Sequence, residues 1–296
     1  MSKIIDIPFS IVGGIDFTGM STEMLKELFT EIMNDQIHGV SFSVYLEGQG
    51  PGSSISEAQV RERMKIIKPY VKWVRSFSCL DGNEIIPRIA HEFGLKTLVG
   101  AWLGSDTEKN EEEIKAVMQL AQDGHADIVA VGNEVLLRGE LEEESIIGYI
   151  NRVKKEVGNI PVAYVDAYYV FANYPGICQA CDIIMANCYP FWEGYPCEHS
   201  LSYMKNMYQI AKNAGGGKKV IISETGWPSR GSAEKEAVPS FENAIKYFIK
   251  TFEWANEETI EVFYFSSFDE TWKIDAEGDV GAYWGLWDKD GKLKYI

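Results

Sequence analysis

The sequence predicts an α/β protein built as a (β/α)8 (TIM) barrel. Eight short apolar runs, rich in Val, Ile and aromatic residues, lack the polar alternation of half-exposed strands. They therefore resemble strands that are buried on both faces of a parallel sheet. Longer amphipathic runs separate them, with apolar residues three and four apart, as in helices. Eight strands separated by helices favour a closed barrel, because a closed parallel sheet leaves no edge exposed.

The strands and helices alternate along most of the chain. The predicted strands are 38–44, 73–77, 96–102, 128–133, 162–166, 183–189, 220–224 and 262–268. The predicted helices are 57–70, 83–93, 111–122, 145–157, 168–180, 201–214 and 241–256, and the pattern is weakest at 83–93 and 168–180. Helix-ending glycines follow four of them, at Gly94, Gly124, Gly158 and Gly215.

The eighth repeat departs from this pattern. After Phe268 the chain predicts loops and a hairpin turn at 288–291 instead of a long helix. Residues 21–34 predict an N-terminal helix that Thr22 can cap, and we expect it to cover the barrel where the eighth helix is missing. No linker divides residues 1–296, so we predict a single domain with 1–35 as an extension packed on the barrel. The predicted apolar stripe is Met24, Leu25, Leu28, Ile32 and Met33.

Net charge and hydropathy limit the classes of molecule that the protein can be expected to bind. The chain has 296 residues, 46% of them apolar, and a formal net charge of −16. Such an acidic surface argues against binding nucleic acid or an anionic membrane, while a neutral substrate is indifferent to it. No apolar stretch reaches the roughly 18 residues of a membrane span. Residues 1–17 contain only one basic residue, Lys3, and do not resemble a secretory signal. We expect a protein that either is intracellular or is exported with its signal already removed.

The cysteines argue against a disulfide framework and a metal site. Five is an odd and low number for this length. Four of them lie near His199 and weakly resemble a zinc set, but the predicted barrel places them at opposite ends. We therefore predict structural thiols, no metal and no cofactor. The four are Cys178, Cys181, Cys188 and Cys197.

Two glutamates end predicted strands. Glu134 ends the fourth strand and Glu224 the seventh, at the C-terminal face where such barrels carry their chemistry. These strands lie about three strands apart round a ring of eight, so the two side chains can face each other across the barrel mouth. Glycosidic cleavage needs such a pair: one carboxyl protonates the leaving oxygen, and the other attacks or positions water. A lone Glu at a strand end is more often a salt bridge or a helix cap, whereas two facing ones favour catalysis.

Six of the eight tryptophans fall at or beyond the predicted C-terminal strand ends. Aromatic rings stack on the apolar faces of sugars, although any single ring could equally be part of the core. We predict that the six contribute to substrate binding. They are Trp102, Trp192, Trp227, Trp272, Trp284 and Trp287.

Several motifs resemble glycoside hydrolase family 17, the β-1,3-glucanases of plants, fungi and bacteria, and the likeness is greatest to its bacterial members. The resemblance extends from about residue 39 to the C-terminus. The motifs are V-G-N-E at 131–134, A-N-C-Y-P-F at 186–191, I-S-E-T-G-W-P-S at 222–229, F-D-E-T-W-K at 268–273 and G-L-W-D at 285–288.

The resemblance implies a retaining hydrolase that cleaves β-1,3-glucosidic bonds in laminarin-like glucan. Glu134 would be the general acid/base, and Glu224 the nucleophile that forms a covalent glycosyl-enzyme. Lys273 would hold one carboxyl group anionic. The family usually has Tyr at the end of the first strand, where this chain has Phe42, and Tyr45 is a candidate replacement. The implied substrate contacts are Asn133, Tyr189, Trp227, Glu270 and Lys273.

Other functions remain open at this stage. A β-1,3-glucan transglycosylase would use the same residues, with a sugar hydroxyl in place of water. A non-catalytic glucan-binding barrel would not need both glutamates. An unrelated barrel enzyme, such as an isomerase with a Glu base, would want a basic site for a phosphorylated substrate, and the sequence offers little of one. Nor does the sequence decide between endo and exo action.

Overall fold

The computed structural model describes residues 15–296 and has the predicted architecture. Eight parallel strands form a closed barrel in sequence order, and the last strand pairs with the first. Each strand lies within a few residues of its predicted position. The strands are β1 (Ile37–Ser41), β2 (Val71–Ser76), β3 (Lys96–Ala101), β4 (Ile128–Asn133), β5 (Val162–Ala167), β6 (Ile183–Asn187), β7 (Val220–Thr225) and β8 (Val262–Tyr264).

Helices surround the barrel, as the amphipathic runs predict. They are α1 (Thr22–Asn34), α2 (Glu57–Ile67), α3 (Ile85–Glu92), α4 (Thr107–Gln122), α5 (Glu143–Glu156), α6 (Val170–Asn173), α7 (Pro175–Ala180), α8 (Ser200–Ala214), α9 (Phe241–Glu258) and α10 (Ile274–Glu277). Short 3-10 turns occupy Cys197–His199, Thr271–Lys273 and Asp279–Tyr283. No helix within residues 15–296 is both long and apolar enough to cross a membrane.

Strand residues divide between two cores. On β4, Ile128 and Ala130 pack inside the barrel, whereas Val129 and Val131 pack outward beneath the helices. This alternation follows from the period of two along a strand. Phe263 belongs to the inner core, where a Cβ added at Gly39 would lie only 2.7 Å from its ring. Both faces of the strands are therefore buried, which explains their nearly continuous apolar sequence.

Helix α1 packs against α9. The ring centroid of Phe29 lies 4.7 Å from that of Phe248 on α9 and 5.2 Å from that of Tyr295. Phe248 in turn contacts Tyr264 of β8. The N-terminal helix thus lies beside α9, over the last strand, where a regular barrel would place its eighth helix.

Two details of the predicted N-terminal helix are wrong. Ser21, and not Thr22, is the N-cap: its hydroxyl accepts the N–H of Met24 at 3.3 Å, and Thr22 is the first helical residue. The buried stripe is Leu25, Phe29, Ile32 and Met33, while Met24 is 47% exposed. The stripe is rotated because α9 and Tyr295 present aromatic rings to Phe29, a contact that sequence periodicity cannot anticipate.

Two other predicted elements are shorter than expected. The helix predicted over 168–180 is split into α6 and α7 at Tyr174, which is not helical because it precedes Pro175. Strand β8 ends at Tyr264. Beyond it the chain pairs with the C-terminal segment, where Ser266 donates to the carbonyl of Trp284 at 3.1 Å.

Candidate active site

A cleft of about 380 Å³ contains both glutamates that the motifs single out. Glu134 directly follows β4, and Glu224 is the fifth residue of β7, so both lie at the C-terminal ends of their strands. The rings of Tyr189 and Phe265 form part of the wall. The cleft therefore has the position that barrel enzymes use for catalysis.

Glu224 is held at both carboxyl oxygens. Arg75 Nη1 lies 2.6 Å from Oε1, and the Tyr189 hydroxyl donates to Oε2 at 2.8 Å. The carboxyl group is almost completely buried, with 6% of the residue exposed. A buried carboxylate needs a paired charge and hydrogen bonds to offset its lost hydration, and these two donors supply both. They also fix the direction in which the carboxylate faces.

Arg75 joins three strands beneath the cleft. It is 2% exposed, and its guanidinium also donates to the Ser223 carbonyl and to Asn133 Oδ1, each at 2.8 Å. Sequence reasoning missed Arg75, although an arginine within the apolar strand 71–76 was a usable signal. Arginines are almost never fully buried unless they are paired. The side-chain oxygen of Asn133, an expected substrate contact, thus accepts a hydrogen bond from Arg75.

We expect Arg75→Lys to lower kcat/KM about 10–100-fold. The guanidinium group donates to Glu224 and Asn133 at the same time, and a lysine ammonium group cannot reach both. The size of the loss follows from a hydrogen bond to a charged group, which is worth about 1.5–3 kcal/mol. Steady-state kinetics of the variant test this. Arg88→Lys, on the exposed face of α3, is the matched control and should behave as wild type. A value for Arg75→Lys within about threefold of wild type would contradict the assigned role.

Glu134 lies on a strained turn. Its φ is +54°, in the left-handed region, and it follows Gly132, whose φ is +90°. A non-glycine residue held in this region costs on the order of 1–3 kcal/mol and persists when the surrounding structure determines it. The pairing register of β4 and β5 shifts here, and the Glu134 N–H donates to the Val165 carbonyl at 2.8 Å. The strained turn directs the carboxyl group into the cleft instead of along the strand.

The environment of Glu134 favours its protonated form. Burial raises its pKa to about 7, and the nearby charges of Glu224 and Asp166 act in the same direction. Asn187 opposes this shift by donating from Nδ2 to Glu134 Oε1 at 2.8 Å. The Ser223 hydroxyl donates to the other side of the Asn187 amide, at 2.8 Å, and so fixes its orientation. Asn187 lies in the A-N-C-Y-P-F motif, but sequence reasoning did not assign it a role.

Lys273 pairs with Glu270, the other residue of its motif, and contacts neither Glu134 nor Glu224. Lys273 and Glu270 are both buried and form an ion pair of 2.8 Å. Among the described residues, Arg75 and not Lys273 forms an ion pair with Glu224. Lys273 instead opposes the rise in the pKa of Glu277, which burial brings to about 7. Glu277 lines the cleft, and its Oε2 has no hydrogen-bond partner among the described residues.

The tryptophan prediction is wrong for three of the six rings. Trp227, Trp284 and Trp287 are at most 2% exposed, so they pack in the core and cannot stack on a sugar. Trp192 is 39% exposed and lines the cleft. Trp102 is equally exposed but is covered by the Arg138 guanidinium, which lies 4.7 Å from the ring centroid.

Trp272, Phe42 and Tyr45 are the remaining aromatic residues that the sequence singled out. Trp272 packs edge to face against Tyr45 at 5.8 Å, and Phe42 is buried. Tyr189, not Tyr45, supplies the phenol that reaches Glu224. Sequence reasoning missed two tyrosines after β5, Tyr168 and Tyr169, which line the cleft beside Glu193. The Tyr168 hydroxyl donates to Glu193 at 2.7 Å.

The five cysteines are unpaired and buried. Burial raises the pKa of Cys181 to about 12, which keeps its thiol protonated and unreactive. Within residues 15–296, no group of three or more His, Cys, Asp or Glu side chains is placed to hold a metal ion.

A (β/α)8 barrel with two glutamates in one cleft, at the ends of strands β4 and β7, is the arrangement that glycoside hydrolases use. Residues 39–285 match the family model described as the BtgE/BtgC glycoside hydrolase domain. The chain belongs to this family and is a glycosidase.

Similar proteins come from fungi and bacteria. The glucan 1,3-beta-glucosidase of Schizosaccharomyces pombe is 27% identical over 78% of each chain. That of Saccharomyces cerevisiae is 24% identical over 94% of this chain and 96% of its own. The glycoside hydrolase family 17 β-1,3-glucanosyltransferase of Rhizomucor miehei has a TM-score of 0.79 at 28% identity, over 88% of this chain and 96% of its own. An endo-laminarinase from Formosa shares the fold, with a TM-score of 0.79 at 20% identity, over 90% and 87%.

Proposed function

We propose that this protein is a retaining glycoside hydrolase that cleaves β-1,3-glucosidic bonds in laminarin-like glucan, with Glu134 as acid/base and Glu224 as nucleophile. The supporting observation is the contrast between two carboxyl groups in one cleft. Burial raises the pKa of Glu134 to about 7, whereas Glu224 is paired with Arg75. The substrate is proposed because the yeast relatives are named glucan 1,3-beta-glucosidases, and the Rhizomucor relative was solved with laminaritriose.

In the first step, Glu224 attacks the anomeric carbon of the sugar at the cleavage point. The bond to the glycosidic oxygen breaks, and Glu134 gives that oxygen its proton. Glu134, now ionised, next takes a proton from water, whose oxygen attacks the same carbon and releases Glu224. Two inversions give net retention, for which carboxyl groups about 5–5.5 Å apart are required.

The pH dependence of kcat/KM should reveal the ionisation of Glu134, the proposed acid. We expect kcat/KM to fall as pH rises through about 7, because Glu134 must be protonated to assist the leaving group and its pKa in the free enzyme is about 7. A pH profile on laminarin measures this limb. Glu134→Gln on a 2,4-dinitrophenyl β-laminaribioside, whose leaving group needs no proton, should lack it. If kcat/KM of that variant still falls as pH rises through about 7, a group other than Glu134 is responsible for the fall.

Substrate and stereochemistry test the proposal directly. The protein is incubated with laminarin, curdlan and barley mixed-linkage glucan, and the products are sized over time while NMR follows the anomer released first. We expect laminarin to be cleaved with release of the β-anomer. Release of the α-anomer would exclude the covalent intermediate. Absence of cleavage of all three glucans would favour a glucan-binding barrel over an enzyme.

Transglycosylation is the second candidate. The exposed rings of Tyr169 and Trp192 line the cleft and could stack on a second sugar while the glycosyl-enzyme waits. In that reaction the hydroxyl of an acceptor sugar replaces water, and Glu134 takes its proton. Laminari-oligosaccharides at high concentration would then give products longer than the starting chain. Products that are only shorter would favour hydrolysis.

We also propose that residues 1–296 form one catalytic domain with an extension, 1–35, packed on the barrel; residues 1–14 of that extension lie outside the described residues. The contacts of α1 with α9 support this organisation. The relatives named above are mostly fungal, so the expected closeness to bacterial members stays a prediction. The expected absence of nucleic-acid binding also stays a prediction.

A further inference from the structure

A third carboxyl group, that of Asp166, lies close enough to Glu134 to raise its pKa, and the proposed reaction does not use it. Asp166 is the fifth residue of β5, the strand next to β4, and has no exposed surface. Burying a carboxylate is costly unless hydrogen bonds replace its water. Its contacts are therefore informative about its role.

The contacts of Asp166 lead to the turn that carries Glu134. One carboxyl oxygen, Oδ1, accepts the Ala167 N–H at 2.8 Å, and the other, Oδ2, accepts the Tyr164 hydroxyl. Because that hydroxyl donates its hydrogen bond to Asp166, its oxygen lone pairs are free to accept the Leu136 N–H, at 2.8 Å. Tyr164 and Asp166 are two residues apart and share the outer face of β5, as the strand period requires. The carboxylate thus orients the hydroxyl that holds the backbone after Glu134.

The same tyrosine limits the backbone before Glu134. A Cβ added at Gly132 would lie 2.9 Å from the Val135 side chain and 3.2 Å from the Tyr164 ring, and the φ of +90° itself favours glycine there. The Glu134 N–H itself bonds to the carbonyl of Val165. Strand β5 therefore contacts the strained turn at three points. Several contacts of this kind are needed to hold the backbone of Glu134 in the left-handed region.

We propose that Asp166 is a positioning residue for Glu134: through Tyr164 it holds the strained turn that aims the acid/base into the cleft, and it places a buried negative charge behind that carboxyl group. This inference rests on the proposed function, because it assumes that Glu134 is the acid.

The charge is the second part of the proposal. Asp166 from β5 and Glu224 from β7 both raise the pKa of Glu134, while Arg75 from β2 and the amide of Asn187 lower it. Burial raises the pKa of Asp166 itself to about 6, so the group is mostly ionised at neutral pH, where Glu134 must keep its proton. Replacing Asp166 with a neutral isostere should therefore make Glu134 a stronger acid. The other polar groups around the turn are Arg138, Tyr169 and Tyr189.

The test compares Asp166→Asn and Tyr164→Phe with Glu113→Gln, a variant of a buried carboxyl group that binds Ser78 and the Cys79 N–H. For Asp166→Asn we expect kcat/KM on laminarin to fall at least about tenfold, and the alkaline limb to move down by about half a pH unit or more. Tyr164→Phe retains the Asp166 carboxyl group but removes a hydrogen bond that lowers its pKa. For this variant kcat/KM should fall, and the alkaline limb should move less than in Asp166→Asn. Glu113→Gln should leave the limb where it is in wild type.

The dinitrophenyl laminaribioside separates positioning of the acid from general damage. Because its leaving group needs no proton, the rate of its first step should change less than about threefold in both variants. Equal losses on both substrates, or a wild-type limb in Asp166→Asn, would overturn the proposal. If Asp166→Asn fails to fold, the substrate contrast in Tyr164→Phe decides alone. A wild-type enzyme inert on both substrates would instead refute the proposed function.

Discussion

Glu134→Gln and Glu224→Gln are each expected to reduce turnover on laminarin by at least about 10³-fold while the barrel stays folded. In the proposed mechanism the two carboxyl groups act on one bond, so the loss of either removes nearly the whole reaction. Each glutamine has the shape of the glutamate it replaces, and circular dichroism with thermal unfolding checks the fold. Glu258→Gln, at the exposed end of α9, is the control and should be unchanged.

The two variants should fail at different steps. The Glu134→Gln variant retains the nucleophile Glu224, so an activated aryl laminaribioside should still form the glycosyl-enzyme. This intermediate should accumulate, because no base is left to activate water. Azide needs no base and should release it as the β-azide. A Glu224→Gly variant with azide should instead give the α-azide, because a single displacement inverts. Either Gln variant retaining more than about a tenth of wild-type activity would refute its role.

Deletion of residues 1–35 is expected to destabilise the whole barrel instead of trimming a tail. It removes four buried side chains of α1, Leu25, Phe29, Ile32 and Met33. At about 1.5–3 kcal/mol each, their burial is comparable to the net stability of a domain, about 5–15 kcal/mol. The deletion also exposes the apolar surface of α9 that Phe29 covers. We expect a large fall in melting temperature, or an insoluble product.

Two point variants serve as a matched pair on the same helix. Phe29→Ala should lower the free energy of unfolding by about 3–5 kcal/mol, since it leaves a cavity between Phe248 and Tyr295. Met24→Ala, at a residue that is 47% exposed, should change it by no more than about 0.5 kcal/mol. An unchanged melting temperature and activity in the truncated chain would show that α1 is an appendage.

The sequence by itself determined the fold and the two glutamates. All eight strands could be predicted because a strand buried on both faces must be apolar along its whole length, a local pattern. Glu134 and Glu224 could be singled out because polar residues that end such strands meet at one face of a barrel. The helix α1 could be predicted from its period, but its buried face could not, since that depends on the rings of α9.

Only the tertiary structure decided how the site is assembled. Arg75 and Glu224 are 149 residues apart, and their contact exists because the barrel closes. Trp227, Trp284 and Trp287 follow strand ends as predicted, yet packing turns their rings inward, since burying a large ring is favourable wherever a pocket fits it. Asp166 is one polar residue in an apolar strand, and its neighbours are set by the strained turn on the adjacent strand. Local sequence determines which face of a strand a side chain takes, but its partner across the barrel depends on long-range packing.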